Sequence, residues 1–384
     1  MTSNLVEGER DTFSPLVAPG VFNSVPERPM SRPKPVAEMR EFVGALVAAV
    51  ATVLVIFLLA GEYPPFGMFV CTVLIFLVLY GLLSWRLHGV LVMKSRLGSA
   101  YVWAGGALAL FPLVDMVFFI VIRGAPVVAS HFPAFLVNDA VGGPTEPVWK
   151  VGVGQAIVGS VEQVALATLY TVPVSILTAT YLTEYNTWFT RVVRLIVDAM
   201  MGMPSIIAGL FVYLWWVQPR HTGGYSGFAA SIALGVLMLP IMIRTSEEVI
   251  KVVPGSLREA ALALGAPRWR VTLRVVLPTA KSGLITAVIL GVALAVGETA
   301  PVLFTALGNN RYNWNPFSGA QADLPLQIIQ NIKSSAPNQV REGYGGAFVL
   351  IAAVLALFTT ARVIGSSKPG RRRIGRRKKE VVPQ

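Results

Sequence analysis

Glu298 is a carboxylate inside a long apolar run, residues 283–307, which makes it the first candidate for chemistry in this sequence. An ionised side chain at the centre of a bilayer costs roughly 3 kcal/mol unless it is paired, protonated or hydrated. Gly297, the preceding residue, has no side chain. Pro301 has no backbone N–H to donate, so a carbonyl one turn earlier loses its helical hydrogen bond. Such loosened backbone is tolerated only against protein or a water-filled cavity. The pattern predicts either a place on a transport path or a structural salt bridge for Glu298.

Few other polar residues lie within or at the ends of apolar runs. They are Asp115, Glu162, Gln163, Asp198 and Arg244. No catalytic signature is found, since Lys281-Ser282 lacks the glycines that a phosphate-binding loop needs before it. The three histidines are far apart in the sequence, so no metal site is predicted. We therefore expect no enzyme activity, catalytic residue, metal or cofactor in this chain.

The elements that must position these residues are long apolar helices. The chain is 54% hydrophobic and 14% charged, whereas a soluble protein carries nearer a quarter charged residues. A bilayer-spanning helix needs about 20 apolar residues. The sequence predicts an all-α polytopic membrane protein with about eight spans, at 43–60, 66–85, 101–122, 155–182, 193–217, 226–243, 283–307 and 345–364.

Positive charge predicts the orientation of these spans. Eight spans place both termini on one side of the membrane. The Lys and Arg residues concentrate on that same side, in the loops around residues 86–96, 191–194 and 258–281 and in the tail 366–384. Because cytoplasmic loops carry the positive excess, we expect both termini to be cytoplasmic. The net charge of +12 is thus read as an orientation signal, and no nucleic-acid partner is predicted.

Four segments are predicted along the chain. Residues 1–42 are rich in Pro and polar side chains, cannot bury a core, and are expected to be a disordered cytoplasmic tail. Residues 43–90 form an additional transmembrane hairpin. Residues 91–365 hold the main domain, and residues 366–384 are a basic cytoplasmic tail.

A polar loop between two spans is the clearest local pattern. Ser256 and Glu259 have the spacing of a capping box that starts a helix. Gly265 predicts a left-handed turn that stops this helix, and Pro267 opens a second one. The second helix is expected to end at Pro278, so neither piece would cross a bilayer.

The same loop resembles the EAA loop of ABC-importer permeases. The matching residues are Glu259, Ala260, Ala261, Gly265, Val275, Leu277 and Pro278, in the spacing of that motif. The resemblance implies a type I importer permease core over residues 91–365, with 245–281 as its coupling loop. It also implies that this loop docks on a dimer of a separate ATPase subunit, which would bind ATP and Mg.

A narrower resemblance points to the PstA type of permease subunit in phosphate importers. It is carried by Gly297-Glu298-Thr299-Ala300-Pro301, by the run 203–211, and by the passage from Ile243 into the coupling loop. It covers roughly residues 150–365 and leaves residues 1–90 outside. That family often has an arginine four residues before this glutamate, where this chain has Leu294.

This resemblance implies that the chain is half of a channel that moves phosphate inward by alternating access. The implied partners are a second homologous permease subunit and an extracytoplasmic phosphate-binding protein, in a bacterial inner membrane. The residues expected along the path are Arg244, Thr245, Glu298 and Thr299. Arginine and hydroxyl groups suit a phosphate, and a carboxylate can accept the proton that HPO4²⁻ carries and sulfate lacks. An ordinary flanking cation is the competing interpretation of Arg244.

Other functions remain open at this point. A sulfate or molybdate importer of the same class would use the same coupling loop. A secondary transporter driven by an ion gradient would need neither an ATPase nor residues 256–278. A membrane scaffold without transport would not need Glu298.

Overall fold

A computed structural model describes residues 35–61, 64–141 and 150–365 of the chain. Within these ranges the regular structure is helical, apart from an isolated β-bridge between Leu307 and Gln321. The predicted all-α class is therefore confirmed. Most of the predicted N-terminal tail and the predicted basic tail, residues 366–384, lie outside the described residues.

The chain separates into two compact units, Met1–Val114 and Asp115–Gln384. The first contains α1 (Pro35–Ala60) and most of α2 (Pro65–Ser130). Gly89 interrupts α2 with a non-helical φ of 80°. The Phe69 and Phe111 rings stack with centroids 4.0 Å apart, so the two arms of α2 run back along each other.

Helix α1 begins earlier than the sequence predicted. Residues 35–42 were expected to belong to a disordered tail, but they are helical. The physical reason is a charge cluster, because Arg96 lies 2.5 Å from Glu41 and 3.2 Å from Glu38. These pairs hold the first turns of α1 against the second arm of α2.

The second unit contains the remaining helices. In chain order they are α3 (Ala134–Val137), α4 (Gly154–Glu184), α5 (Trp188–Met201), α6 (Ser205–Val212), α7 (Gly227–Lys251), α8 (Gly255–Ala263), α9 (Arg268–Val271), α10 (Leu277–Val296), α11 (Ala300–Thr305), α12 (Leu324–Ile332) and α13 (Pro337–Gly365). Single π turns follow α6 and α9, at Tyr213–Val217 and Thr272–Val276.

Six helices in the described residues are long and apolar enough to cross a membrane, and the total is seven if α5 and α6 count as one bent span. This count takes α2 as a single crossing, although its two arms contain the predicted spans 66–85 and 101–122. The predicted total of eight stays a prediction. The predicted span 193–217 is not straight, since its two halves meet at 104°.

The core of the second unit lies where α4, α7 and α10 pack, and small residues let these helices approach. The Tyr170 hydroxyl of α4 donates to the Ser231 carbonyl of α7 at 2.5 Å. A Cβ on Gly235 would lie 2.0 Å from that hydroxyl oxygen, so any larger residue there would displace the Tyr170 ring and its hydrogen bond. Close approach at small residues is the usual way in which membrane helices associate.

Candidate functional site

Glu298 lies in a break between two helices. Gly297 caps the C-terminus of α10, and α11 starts with Pro301 in its first turn. Proline has no N–H to donate, which weakens a helix at this position, and here the helix is interrupted between Val296 and Ala300. The predicted loosening of the backbone around Glu298 is confirmed. Discontinuous helices of this kind line the transport sites of many membrane transporters.

A second break lies against the first. The chain bends by 104° between α5 and α6, where Pro204 precedes α6. Gly209 of α6 packs on Pro301 of α11, and a Cβ on Gly209 would lie 2.5 Å from the Pro301 Cα. Both short helices that follow the breaks therefore touch through their backbones.

The Glu298 carboxylate has no bonded partner in the part of the chain that the structure describes. Glu298 and Thr299 are both half-buried. No described side chain forms an ion pair or hydrogen bond with this carboxylate, so the predicted alternative of a structural salt bridge is not found among the described residues. Leu294, one turn earlier in α10, is 41% exposed and supplies no charge.

Arg244 belongs to an ion cluster around Glu247. Its Nη1 lies 2.9 Å from Glu247 Oε2, and its Nη2 pairs with Asp198. The other carboxylate oxygen, Glu247 Oε1, lies 2.8 Å from both Arg194 Nη2 and Lys251 Nζ. Glu247 is 1% exposed, so three cations compensate one buried carboxylate. This arrangement ties α5 to α7.

Arg244 and Thr245 lie at a different height along the axis of α10 from Glu298 and Thr299. Two close contacts show how α7 and α10 run past each other: a Cβ on Gly291 would meet Met242, and a Cβ on Gly283 would meet Val249. Arg244 therefore lies beside the middle of α10, and Glu298 is at least about 10 Å farther along it. The Thr245 hydroxyl donates to the Ile241 carbonyl at 2.8 Å, within its own helix.

The coupling segment, residues 245–281, turns at Gly265. This residue has φ of 78°, and its N–H donates to the Leu262 carbonyl at 2.9 Å. The Ala266 N–H donates to the Ala261 carbonyl at 3.3 Å. These two bonds form a Schellman motif, in which the left-handed residue is usually glycine. The predicted left-handed turn is confirmed.

Two other predictions about this segment are wrong. Helix α8 begins at Gly255 with Pro254 as its cap and has no side-chain capping bond. Ser256 therefore lies inside the helix, because the fixed φ of Pro254 sets the boundary earlier. The second helix does not end at Pro278, which lies in the first turn of α10. The π turn Thr272–Val276 precedes it and carries the helix past the missing proline N–H.

Arg258 anchors the coupling segment to the helix bundle. Its Nη2 lies 3.1 Å from the Ile250 carbonyl and 3.3 Å from Glu184 Oε1, at the C-terminal end of α4. Ala261 and Ala266 pack against the buried cluster that contains Ile250. Ala261 of the motif thus faces the bundle, whereas Ala260 and Gly265 are exposed.

The coupling segment also has exposed residues, which include both charged and large apolar side chains. Glu259 and Ala260 are exposed. Leu264 is 89% exposed and Trp269 is 57% exposed. Large apolar side chains at a polar loop are costly in water, and a patch of them marks an interaction surface.

The other end of α4 holds the cap segment, residues 306–332. Ser160 Oγ donates to Asp323 Oδ1 at 2.7 Å and accepts from the Leu324 N–H at 2.8 Å. Gln163 Nε2 donates to Gln321 Oε1 at 3.2 Å. Asp323 caps α12, and complete burial raises its pKa to about 6. The cap segment and the coupling segment are therefore fixed to opposite ends of one helix.

Sequence reasoning missed the roles of Gly209, Glu247 and Asp323. The role of Glu247 could have been predicted locally. Arg244 lies three residues before it and Lys251 four residues after it, and both spacings place the cations next to Glu247 on a helix. The role of Asp323 could have been predicted too, since an Asp before Leu-Pro suits a helix N-cap. The role of Gly209 could not, because its contact is with a distant helix. No group of three or more His, Cys, Asp or Glu residues in the described ranges is placed to hold a metal ion.

Comparison with known proteins identifies the relatives of this chain. Residues 171–365 match the family model for the binding-protein-dependent transport system inner membrane component. The chain is 35% identical to the phosphate transport system permease protein PstA of Mycobacterium leprae (strain TN) over 268 residues, 69% of this chain and 86% of that protein. It is 35% identical to the PstA protein of Pasteurella multocida (strain Pm70) over 279 residues, 72% of this chain and 96% of that protein.

A solved structure is also similar, an inward-facing conformation of the MetNI methionine ABC transporter. Its TM-score is 0.43 at 22% identity, over 55% of this chain and 94% of that one. The family assignment rests on the two PstA relatives, because each is more than 30% identical to this chain over most of its own length. The chain belongs to the family of binding-protein-dependent transport system inner membrane components and, within it, to the PstA type of phosphate transport permease.

Proposed function

We propose that this chain is a permease subunit of an ATP-driven importer of inorganic phosphate. The observation that carries the proposal is the coupling segment, which presents exposed Glu259, Leu264 and Trp269 at the end of α4 where Arg258 anchors it. A separate ATPase subunit, binding ATP and Mg, would cover this surface. The printed names of the relatives, phosphate transport permeases, support phosphate as the substrate.

Transport would proceed by alternating access. A movement imposed on the coupling segment reaches α4 through the Arg258–Glu184 pair and α10 through the continuous helix from Arg268. Helix α10 ends at the break that holds Glu298, where α11 touches α6. A rigid shift at the coupling segment would therefore change the packing of the two broken helices.

Glu298 and Thr299 would face the path at the break between α10 and α11. An unpaired carboxylate can accept a hydrogen bond from HPO4²⁻, which carries a proton, and repels sulfate, which carries none. Arg244 and Thr245 would act at a separate level of the path. The partner of Arg244, Asp198, is 51% exposed, so this pair stands at an accessible surface.

The partners in this proposal are an ATPase dimer, a second permease subunit and an extracytoplasmic phosphate-binding protein. The cap segment, at the opposite end of α4 from the coupling segment, would meet the binding protein. Its exposed Trp314 and Phe317 are 69% and 62% exposed, and aromatic side chains are common at interfaces. The membrane would be a bacterial inner membrane with both termini cytoplasmic.

Reconstitution tests this proposal. The complete complex in proteoliposomes should take up radiolabelled phosphate only with ATP and binding protein, and labelled sulfate should not enter. Gly265→Asp should abolish uptake and weaken ATPase-subunit binding, because a side chain in the left-handed turn costs about 1 kcal/mol and redirects α9. Gly255→Asp is the matched control, since Gly255 has open space around it and no positive φ.

Each result separates the alternatives. Sulfate or molybdate uptake would assign another oxyanion. Uptake driven by an ion gradient without ATP would make the chain a secondary transporter. Normal uptake by Gly265→Asp would rule out this segment as the coupling element.

A further inference from the structure

A groove of about 800 Å³ lies between the C-terminal part of α2 and the start of α13. Both segments belong to the unit Asp115–Gln384. The helices touch at Gly124, where a Cβ would lie 2.2 Å from the Tyr344 carbonyl oxygen. Arg123 and Arg341 line the groove, and we call it the Arg123–Arg341 groove.

Both arginines of the groove are exposed and have no ion-pair partner among the described residues. No described residue that lines the groove is acidic. The Arg123 guanidinium carbon lies 5.5 Å from the Phe119 ring centroid, and that ring packs edge-on against Tyr344 at 5.5 Å. This contact limits the motion of Arg123 before any ligand arrives. Two such charges facing one concave surface attract an anion.

His131 and Ser130 add polar groups at one end of the groove. His131 Nδ1 lies 3.0 Å from the Val127 carbonyl oxygen, which can only accept, so Nδ1 carries a hydrogen in this bond. The Nε2 atom then has no described partner. Ser130 Oγ lies 2.9 Å from the same Nδ1, which fixes the ring further.

The other walls of the groove are apolar. They are formed by Pro126, Val127, Pro337 and Val340. Pro337 is also where the last candidate span begins, and Arg341 lies about one turn inside it. Both arginines therefore lie near the ends of candidate spans, where we expect lipid headgroups, and basic side chains near a membrane surface attract anionic lipids.

We propose that the Arg123–Arg341 groove binds the phosphate group of an anionic phospholipid, with the glycerol and upper acyl chain against the apolar walls. Guanidinium groups match phosphate oxygens in geometry and charge. A free phosphate ion would satisfy the arginines but leave the apolar walls unoccupied. The lipid would then hold the end of α2 against α13. This site is independent of the transport proposal.

Lipid binding by the full-length chain tests the proposal. The purified protein in detergent would be titrated with dioleoylphosphatidylglycerol, and bound lipid counted by mass spectrometry of the intact complex. Arg123→Gln and Arg341→Gln should each weaken binding roughly fivefold, as expected for one basic residue near a headgroup. Dioleoylphosphatidylcholine, which has the same phosphate but no net charge, should bind more weakly to the wild type.

Two control variants distinguish lipid binding in the groove from nonspecific attraction to positive surface charge. Arg220→Gln is the matched variant, because Arg220 also stacks on an aromatic ring, 3.8 Å from the Trp216 centroid, but lies outside the groove. It should bind lipid as the wild type does. Val340→Trp keeps both arginines and fills the apolar wall, so it should also lose binding while eluting normally on gel filtration.

Three results would overturn the proposal. The first is equal binding by wild type and both arginine variants. The second is wild-type binding by Val340→Trp, which would mean that charge alone attracts the lipid. The third is full displacement of the lipid by millimolar inorganic phosphate that itself binds the wild type and not the arginine variants, which would make the groove a free-phosphate site.

Discussion

Gly209 of α6 lies directly against Pro301 of α11, where a Cβ on the glycine would approach the proline Cα to 2.5 Å. Each residue follows a break in its own helix, so this contact joins the two discontinuous parts of the bundle. Any rearrangement around Glu298 must therefore either keep the Gly209–Pro301 contact or break it.

Gly209→Ala should destabilise the protein by about 1–3 kcal/mol, the usual cost of inserting a methyl group into a packed contact. The neighbour is backbone, which cannot rotate away. Gly202→Ala is the matched control, because the nearest atom to a Cβ there is an ordinary 3.6 Å away. Melting temperatures in detergent should fall for Gly209→Ala alone. Equal melting of the two variants would contradict the contact.

Glu298→Gln should leave the complex assembled but abolish phosphate uptake or uncouple it from ATP hydrolysis. The carboxylate has no described partner that would be left unpaired, so assembly should survive. Complex yield, ATPase rate and uptake would be measured on one preparation. Wild-type uptake by a fully assembled Glu298→Gln complex would remove Glu298 from the path. Loss of assembly would instead indicate a salt bridge to another subunit.

Glu247→Gln should lower stability by about 1–2 kcal/mol. Removing the carboxylate charge leaves Arg194 and Lys251 without this counter-charge and leaves Arg244 with Asp198 alone. The cost is below the 3–5 kcal/mol of a fully buried pair, because Arg194 and Lys251 are 40% and 54% exposed. Glu248→Gln, at an exposed neighbouring position, should have little effect on thermal unfolding. Similar losses in both variants would argue against the cluster.

Asp323 should make stability fall as pH rises. Burial raises its pKa from 3.8 in the unfolded chain to about 6, so the folded protein binds more protons between these values. Its contribution is most favourable below about pH 4 and is lost as pH rises through 6, a difference of about 3 kcal/mol. Asp323→Asn keeps the acceptor for Ser160 and removes the titration.

The measurement is the melting temperature of wild type and Asp323→Asn from pH 4.5 to 7.5. The variant should gain stability relative to the wild type as pH rises, which separates Asp323 from all other titrating groups. A constant difference across this range would mean that Asp323 does not titrate there.

Reporter fusions should place Gln384 and Asn338 on opposite sides of the membrane, with Gln384 in the cytoplasm. The reason is the excess of Lys and Arg in the coupling segment and the C-terminal tail. Reporters on the same side would contradict the predicted orientation.

The sequence by itself determined the features that depend on local chemistry. Long apolar runs predicted helices, Gly297 and Pro301 favoured a break beside Glu298, and Gly265 favoured a left-handed turn. Each follows from the backbone preferences of the residues at that position. The capping box at Ser256 failed although its spacing was correct, because Pro254 fixed the helix boundary before Ser256.

The tertiary structure decided which distant residues meet. Asp198 pairs with Arg244 across 46 residues of chain, and Ser160 pairs with Asp323 across 163. Arg244 was predicted on the path with Glu298, but helix packing places the two at different levels. Helical periodicity gives the face of a residue and leaves open which helix that face contacts. The Ser160–Asp323 pair, for example, needs the close approach of Gly159 to the Ala322 carbonyl, and only the packed bundle selects such partners.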